Sequence, residues 1–90
     1  MKICKRAIVT GRVQGVFFRQ KTLDHAKRLG LTGWVKNLPN GDVESVICGE
    51  QAQVEELCDW LWEGPPAARV REVQLVEMHW EDHPHFQVIR

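Results

Sequence analysis

Residues 34–48 read Trp-Val-Lys-Asn-Leu-Pro-Asn-Gly-Asp-Val-Glu-Ser-Val-Ile-Cys. Two short strand-like runs, Trp34–Leu38 and Val43–Cys48, flank the turn Pro39-Asn40-Gly41-Asp42. The stretch therefore predicts a β-hairpin, with Asn40-Gly41 suited to the positive φ angles of a type I′ turn. On its N-terminal side, Arg19 to about Leu29 is helical in pattern: Leu23, Ala26 and Leu29 share a face, basic residues occupy the other, and Gly30 is a natural stop. On its C-terminal side, Gln51–Glu63 places Val54, Leu57, Cys58 and Leu61 on one helical stripe, ended by Gly64-Pro65-Pro66. One strand lies beyond each helix: residues 3–10, with Ala7 and Val9 facing the core, and Val70 to about Trp80. Phe86–Ile89 offers a short extra strand. The order β-α-β-β-α-β predicts an α+β, ferredoxin-like sandwich, a mixed but antiparallel-rich sheet with two helices on one face.

The 90 residues suffice for one domain and no second core. A hydrophobic share of 43% and a charged share of 27% fit a globular protein, and no apolar run approaches a membrane span. Charge interrupts Met1-Lys2-Ile3-Cys4-Lys5-Arg6 before a signal-peptide core could form, so the expectation is a cytoplasmic, unprocessed protein. Net charge is zero but lopsided: residues 1–40 carry nine Lys and Arg against Asp24 alone, residues 41–90 three Arg against eleven acids. Such asymmetry draws anions toward the first half, although two oppositely charged faces of one fold would give the same count.

Gly11-Arg12-Val13-Gln14-Gly15-Val16-Phe17-Phe18-Arg19 joins a strand end to a helix start. Backbone N–H groups there lack helical partners, and the helix dipole adds positive charge. Two glycines allow the chain to curl so that successive N–H groups face one concavity. The loop lacks the Gly-Lys-Ser/Thr ending of a nucleotide-binding P-loop. Arg19 and Lys21 oppose the dipole unless an anion sits at the helix start, and a guanidinium can grip phosphate oxygens in pairs. Stacking of Phe17 and Phe18 on nucleic-acid bases is disfavoured, because sheet-based RNA binders carry aromatics on the middle strands, and these strands offer Ala7, Ile8, Val9, Val43, Val46 and Ile47 instead.

Two segments together carry a family resemblance. Gly11 to Arg19 resembles the first signature of the acylphosphatases, and Gly33-Trp34-Val35-Lys36-Asn37 followed by Gly41-Asp42-Val43-Glu44 resembles the second. Ala68-Arg69-Val70-Arg71-Glu72-Val73 and Phe86-Gln87-Val88-Ile89-Arg90 are similar to the family's later strands. The resemblance implies hydrolysis of the carboxyl–phosphate bond of acyl phosphates, giving carboxylate and inorganic phosphate. It implies that the backbone N–H groups of Gly15, Val16, Phe17, Phe18 and Arg19 and the Arg19 guanidinium hold the phosphoryl group. Asn37 would orient the attacking water. Leu38-Pro39 departs from the small hydroxyl residue that animal members more often place after this Asn.

Few groups would suffice for such a reaction. Phosphoryl transfer runs through a loose transition state, so positioning and charge stabilisation dominate. A carboxylate whose conjugate acid has a pKa near roughly 4 leaves without being protonated. No general acid, metal or cofactor is required, and the expected partners are a small acyl phosphate and inorganic phosphate. Nucleic acid, membrane and further subunits are not expected. The competing reading is a module that keeps the loop, binds an anionic metabolite or a partner, and draws no rate from Asn37.

Cys4, Cys48 and Cys58 lack metal-site spacing, and His79, His83 and His85 gather near the C-terminus without a ligand pattern. Cys4 and Cys48 fall on antiparallel neighbours and could meet as a disulfide, while a reducing compartment favours free thiols. Cys58 reads as core.

Overall fold

The computed structural model describes all 90 residues. Its elements are β1 (Lys2–Arg12), α1 (Phe18–Arg28), β2 (Thr32–Asn37), β3 (Val43–Glu50), α2 (Gln51–Leu61), β4 (Arg69–Met78) and β5 (Phe86–Ile89). The sheet order is β4-β1-β3-β2-β5. β1 runs antiparallel to β3 and β4, β2 antiparallel to β3, and β5 parallel to β2. This is the ferredoxin-like arrangement, two βαβ units interleaved so that each crossover skips one strand. It also makes β1, β2 and β5 run in the same direction, so their carboxyl ends gather at one edge.

Alternation along each strand decides the layers. Ala7, Val9, Val35, Val43, Ile47, Val73 and Phe86 point to one face, where they pack with Phe18 and Ala26 of α1 and Val54, Leu57, Cys58 and Leu61 of α2. α1 buries Phe18, Thr22 and Ala26, whereas Leu23 and Leu29 are only half-buried. Thr22 tolerates complete burial because its hydroxyl donates to the Phe18 carbonyl at 2.8 Å. Ser45, the other fully buried polar residue, donates to the Trp34 carbonyl at 2.7 Å.

The hairpin turn differs from the type I′ expectation. Gly41 N–H donates to Leu38 O at 3.1 Å, Leu38 N–H donates to Asp42 O at 2.8 Å, and only Gly41, at φ 98°, takes positive φ in the turn. Pro39 is the reason: it has no N–H to donate to Asp42 O, so a two-residue loop on Asn40-Gly41 cannot close, while its φ near −65° suits the first central position of a type I turn. The result is a three-residue loop in which Gly41 supplies the left-handed step. Asn40 stabilises it by accepting the Asp42 N–H at 3.0 Å.

The outer face of the sheet carries a second, smaller core of Cys4, Val46 and Cys48, flanked by Trp34 and Met78. Residues 79–85 cross this face from β4 to β5, and Glu81 N–H approaches Cys4 Sγ at 3.3 Å. Cys4 and Cys48 are register partners with Cα atoms 4.1 Å apart. Compartment reasoning weighs toward free thiols; the structure joins the two sulfurs as a disulfide. Cys58 is free and buried, and burial pushes its thiol up to about 11.

A thiol titration of air-equilibrated protein should therefore find essentially no reactive thiol in the native state at pH 8. One should appear in denaturant, and three in denaturant after reduction. Three in denaturant without reductant would contradict the pairing.

Candidate active site

The loop from Val13 to Phe17 turns the chain from β1 into α1 through two left-handed residues, Gly15 at φ 72° and Phe17 at φ 64°. At Gly15 a Cβ would meet nothing within 4 Å, so glycine serves conformation there and not space. Phe17 is the only non-glycine residue with positive φ, a conformation costing a residue with a Cβ about 1–2 kcal/mol.

The curl leaves a row of donors. None of the backbone N–H groups of Gly15, Val16, Phe17, Phe18, Arg19 and Gln20 donates to an acceptor in the protein; the first bond at this helix start is Lys21 N–H to Phe17 O at 3.0 Å. Neither a side-chain cap nor an acidic residue occupies the first turn. Six adjacent donors with the positive end of a helix behind them make a concavity suited to an anion.

Arg19 reaches the same place. Its Nη1 donates to the Ile89 carbonyl at 3.3 Å, so β5 holds the guanidinium, and no carboxylate lies within ion-pair distance of it. Asn37 closes the other side. It is the last residue of β2 and follows the inward alternation of Gly33 and Val35. Its Oδ1 is buried and accepts no hydrogen bond from the protein. Thr22 and Ser45 show that polar groups elsewhere in this interior are satisfied, so this oxygen is an exception with a location. Leaving such a group unmet costs about 1–3 kcal/mol, and an O–H donor from a small molecule would offset it.

Gly15, Arg19 and Asn37 line one cavity of about 460 Å³, together with Val13, Phe17, Phe18, Gln20, Val88 and Arg90. It opens where β1, β2 and β5 all end, so parallel strand direction, and not sequence proximity, brings the loop, the amide and the C-terminal strand together. Val16, expected in the loop, is buried behind it. Neither of the two groups with shifted pKa, His25 and Cys58, lines the cavity.

Sequence reasoning missed Gln14. Its Nε2 donates to Leu38 O and to Asp42 O, each at 2.8 Å, tying the loop after β1 to the turn that follows Asn37. At Leu38, which has no hydroxyl, backbone groups and the Gln14 amide hold the turn. Nothing in the chain's periodicity announces a bond between residues 24 positions apart. Val88 and Arg90 were equally silent, since their place at the cavity depends on β5 pairing beside β2; Gln20 lines it from the first turn of α1.

The fold and cavity together define a class, a ferredoxin-like α/β sandwich with an anion-suited loop at a strand-to-helix junction. Comparison with known proteins narrows the class. The acylphosphatase family model matches residues 5–88. An acylphosphatase of Coxiella burnetii is 53% identical over 85 residues, 94% of this chain and 90% of that protein. One from Rubrobacter xylanophilus is 57% identical over 72 residues, 80% of this chain and 66% of that protein. A solved acylphosphatase from C. burnetii superposes with a TM-score of 0.95 at 50% identity, covering 98% of this chain and 93% of its own. The Bacillus subtilis enzyme gives 0.94 at 32% identity, covering 98% and 99%. The chain belongs to the acylphosphatase family.

Replacing Gln14 by Leu removes both donors of the tie at nearly constant volume. The stability loss in urea unfolding should be about 1–2 kcal/mol, with an unchanged m-value. A loss below a few tenths would mean that the turn holds itself.

Proposed function

We propose that this chain hydrolyses acyl phosphates to a carboxylate and inorganic phosphate, with Arg19 and Asn37 as its catalytic residues. The observation that carries the reading is the buried Asn37 Oδ1, without a protein donor, in the same cavity as an uncapped helix start and an arginine free of carboxylates. Membership of the acylphosphatase family supports the reaction class.

The phosphoryl oxygens take the N–H groups of Gly15, Val16, Phe17, Phe18 and Arg19 and the guanidinium of Arg19. These donors are fixed before substrate arrives, so they neutralise developing charge without reorganising. Asn37 is neutral and too weak a base to remove a proton. Its Oδ1 accepts a hydrogen bond from water and aims the lone pair at phosphorus. The water oxygen bonds to phosphorus as the bond from phosphorus to the acyl oxygen breaks. The departing electron pair leaves on the carboxylate, and the water's proton passes to a phosphate oxygen. The leaving carboxylate is stable as an anion, so the step needs no protonating side chain.

Charge supports the same reading. Of the nine cations in residues 1–40, only Arg6 and Lys36 make ion pairs, both with Glu44. The remaining seven contribute an unpaired positive field on the half of the chain that supplies the loop and Asn37. The central strands β1 and β3 carry no aromatic residue, so the sheet offers no platform for stacking bases. No helix is long and apolar enough to cross a membrane. The proposal includes action as a cytoplasmic monomer.

Kinetics on a simple acyl phosphate test the assignments. Arg19→Ala should lower kcat/KM by roughly 10²–10³-fold, the scale for removing one preorganised donor, and abolish competitive inhibition by inorganic phosphate. Asn37→Ala should lower kcat comparably while inhibition by phosphate persists. Equal loss of phosphate inhibition in both variants would remove Asn37 from water positioning. In heavy-oxygen water a single turnover should label phosphate; label in the carboxylate would exclude attack at phosphorus.

Salt provides a separate check. Where capture contributes to rate limitation, kcat/KM should fall as ionic strength rises from 0.01 to 0.15 M, because the Debye length shrinks from about 30 to 8 Å. A flat response would leave the charge split as surface patterning.

A further inference from the structure

The cavity is larger than a phosphoryl group needs. At about 460 Å³ it falls within the size of sites that hold whole small molecules, roughly 300–1,000 Å³. The loop donors, Arg19 and Asn37 serve the phosphoryl group and water, which leaves Phe17, Val88, Gln20 and Arg90 as the wall for the rest of the substrate.

Phe17 is the member the fold does not explain. Its side chain is 78% exposed and belongs to neither hydrophobic core. Its ring stacks on no other aromatic ring, whereas neighbouring Phe18 is buried at 2% exposure and lies 5.7 Å from the Trp60 ring. Its backbone sits in the left-handed region, where glycine would be easier. A large apolar side chain held in an unfavourable conformation, gaining nothing from packing, points to a role outside folding. Its position at the cavity, with half-buried Val88 supplying further apolar lining, says where that role is exercised.

We propose that the Phe17 ring is the wall of an acyl subsite that selects acyl phosphates whose acyl part is planar and apolar, an aryl or conjugated group, over small aliphatic ones. The inference rests on the acyl phosphate reading above and deepens it. The phosphoryl group fixes one end of the substrate, the acyl carbonyl leads out of the loop, and a flat group beyond it covers the ring face. Offset or edge contact between the two supplies the selectivity, and the exposed apolar surface of Phe17 leaves water only in the complex.

The test compares benzoyl phosphate with acetyl phosphate as the ratio of their kcat/KM values, so that any effect of substitution on the shared phosphoryl step cancels. Phe17→Gly suits the backbone angle, and Phe17→Asn, also tolerant of it, serves should the glycine loosen the loop. In both variants the ratio should fall about fivefold, mainly through a higher KM for benzoyl phosphate, the scale of one aromatic contact. A ratio within twofold of wild type in a folded variant would overturn the subsite. Independently of folding, the unaltered protein should be inhibited about fivefold more tightly by benzylphosphonate than by methylphosphonate. Equal inhibition by the two would overturn the subsite while leaving hydrolysis intact. Failure of the unaltered protein to hydrolyse either acyl phosphate would instead overturn the reaction itself, and the subsite with it.

Discussion

Six consecutive backbone N–H groups, from Gly15 to Gln20, have no acceptor in the protein, and this deficit organises the molecule. Helix starts are ordinarily relieved by a capping side chain or an acidic first turn. Here both are absent, and Arg19 adds a cation at the positive end of the helix dipole. Across the cavity, Asn37 has the complementary deficit, an acceptor without a donor. Each defect is modest in energy and destabilising alone. Together they describe a site complementary to an oxyanion and a water molecule, the arrangement on which the proposed mechanism rests.

The rest of the fold holds these groups where their deficits face one another. Interleaved βαβ units send β1, β2 and β5 the same way, so the loop after β1, Asn37 and the Ile89 carbonyl meet at one sheet end. Gln14 then ties loop to turn with two bonds. On the outer face, a disulfide and the crossing segment 79–85 seal the end of β1 opposite the one that feeds the loop.

Much of this is legible in the sequence. The hairpin, both helices and the inward positions of Ala7 and Val9 follow from period alone, because each face meets one environment. What failed did so for local reasons. Asn40-Gly41 suggested a type I′ turn, but Pro39 lacks the N–H that a two-residue loop needs, so the loop closes from Leu38 and only Gly41 is left-handed. Counting apolar residues put Leu23, Ala26 and Leu29 on the core face of α1, yet beside Ala26 it is Phe18 and Thr22 that are buried, and Thr22 can be because its hydroxyl is satisfied on its own helix. Arg19 and Asn37 could be singled out because a cation at a helix start and an amide before a turn are odd in themselves. Gln14, Val88 and Arg90 look ordinary, and their role exists only once strands distant in sequence are paired. Phe17 was visible as an aromatic, but whether it packs or projects depends on one backbone angle that composition does not encode.

The central claim, that the unpartnered main-chain donors receive the phosphoryl group, is tested most directly by following backbone amide resonances during titration with inorganic phosphate. The account predicts saturable shifts concentrated on Gly15 to Gln20, with the Asn37 side-chain amide responding and the outer sheet face silent. Saturation of phosphate binding with those six amides unmoved would contradict it.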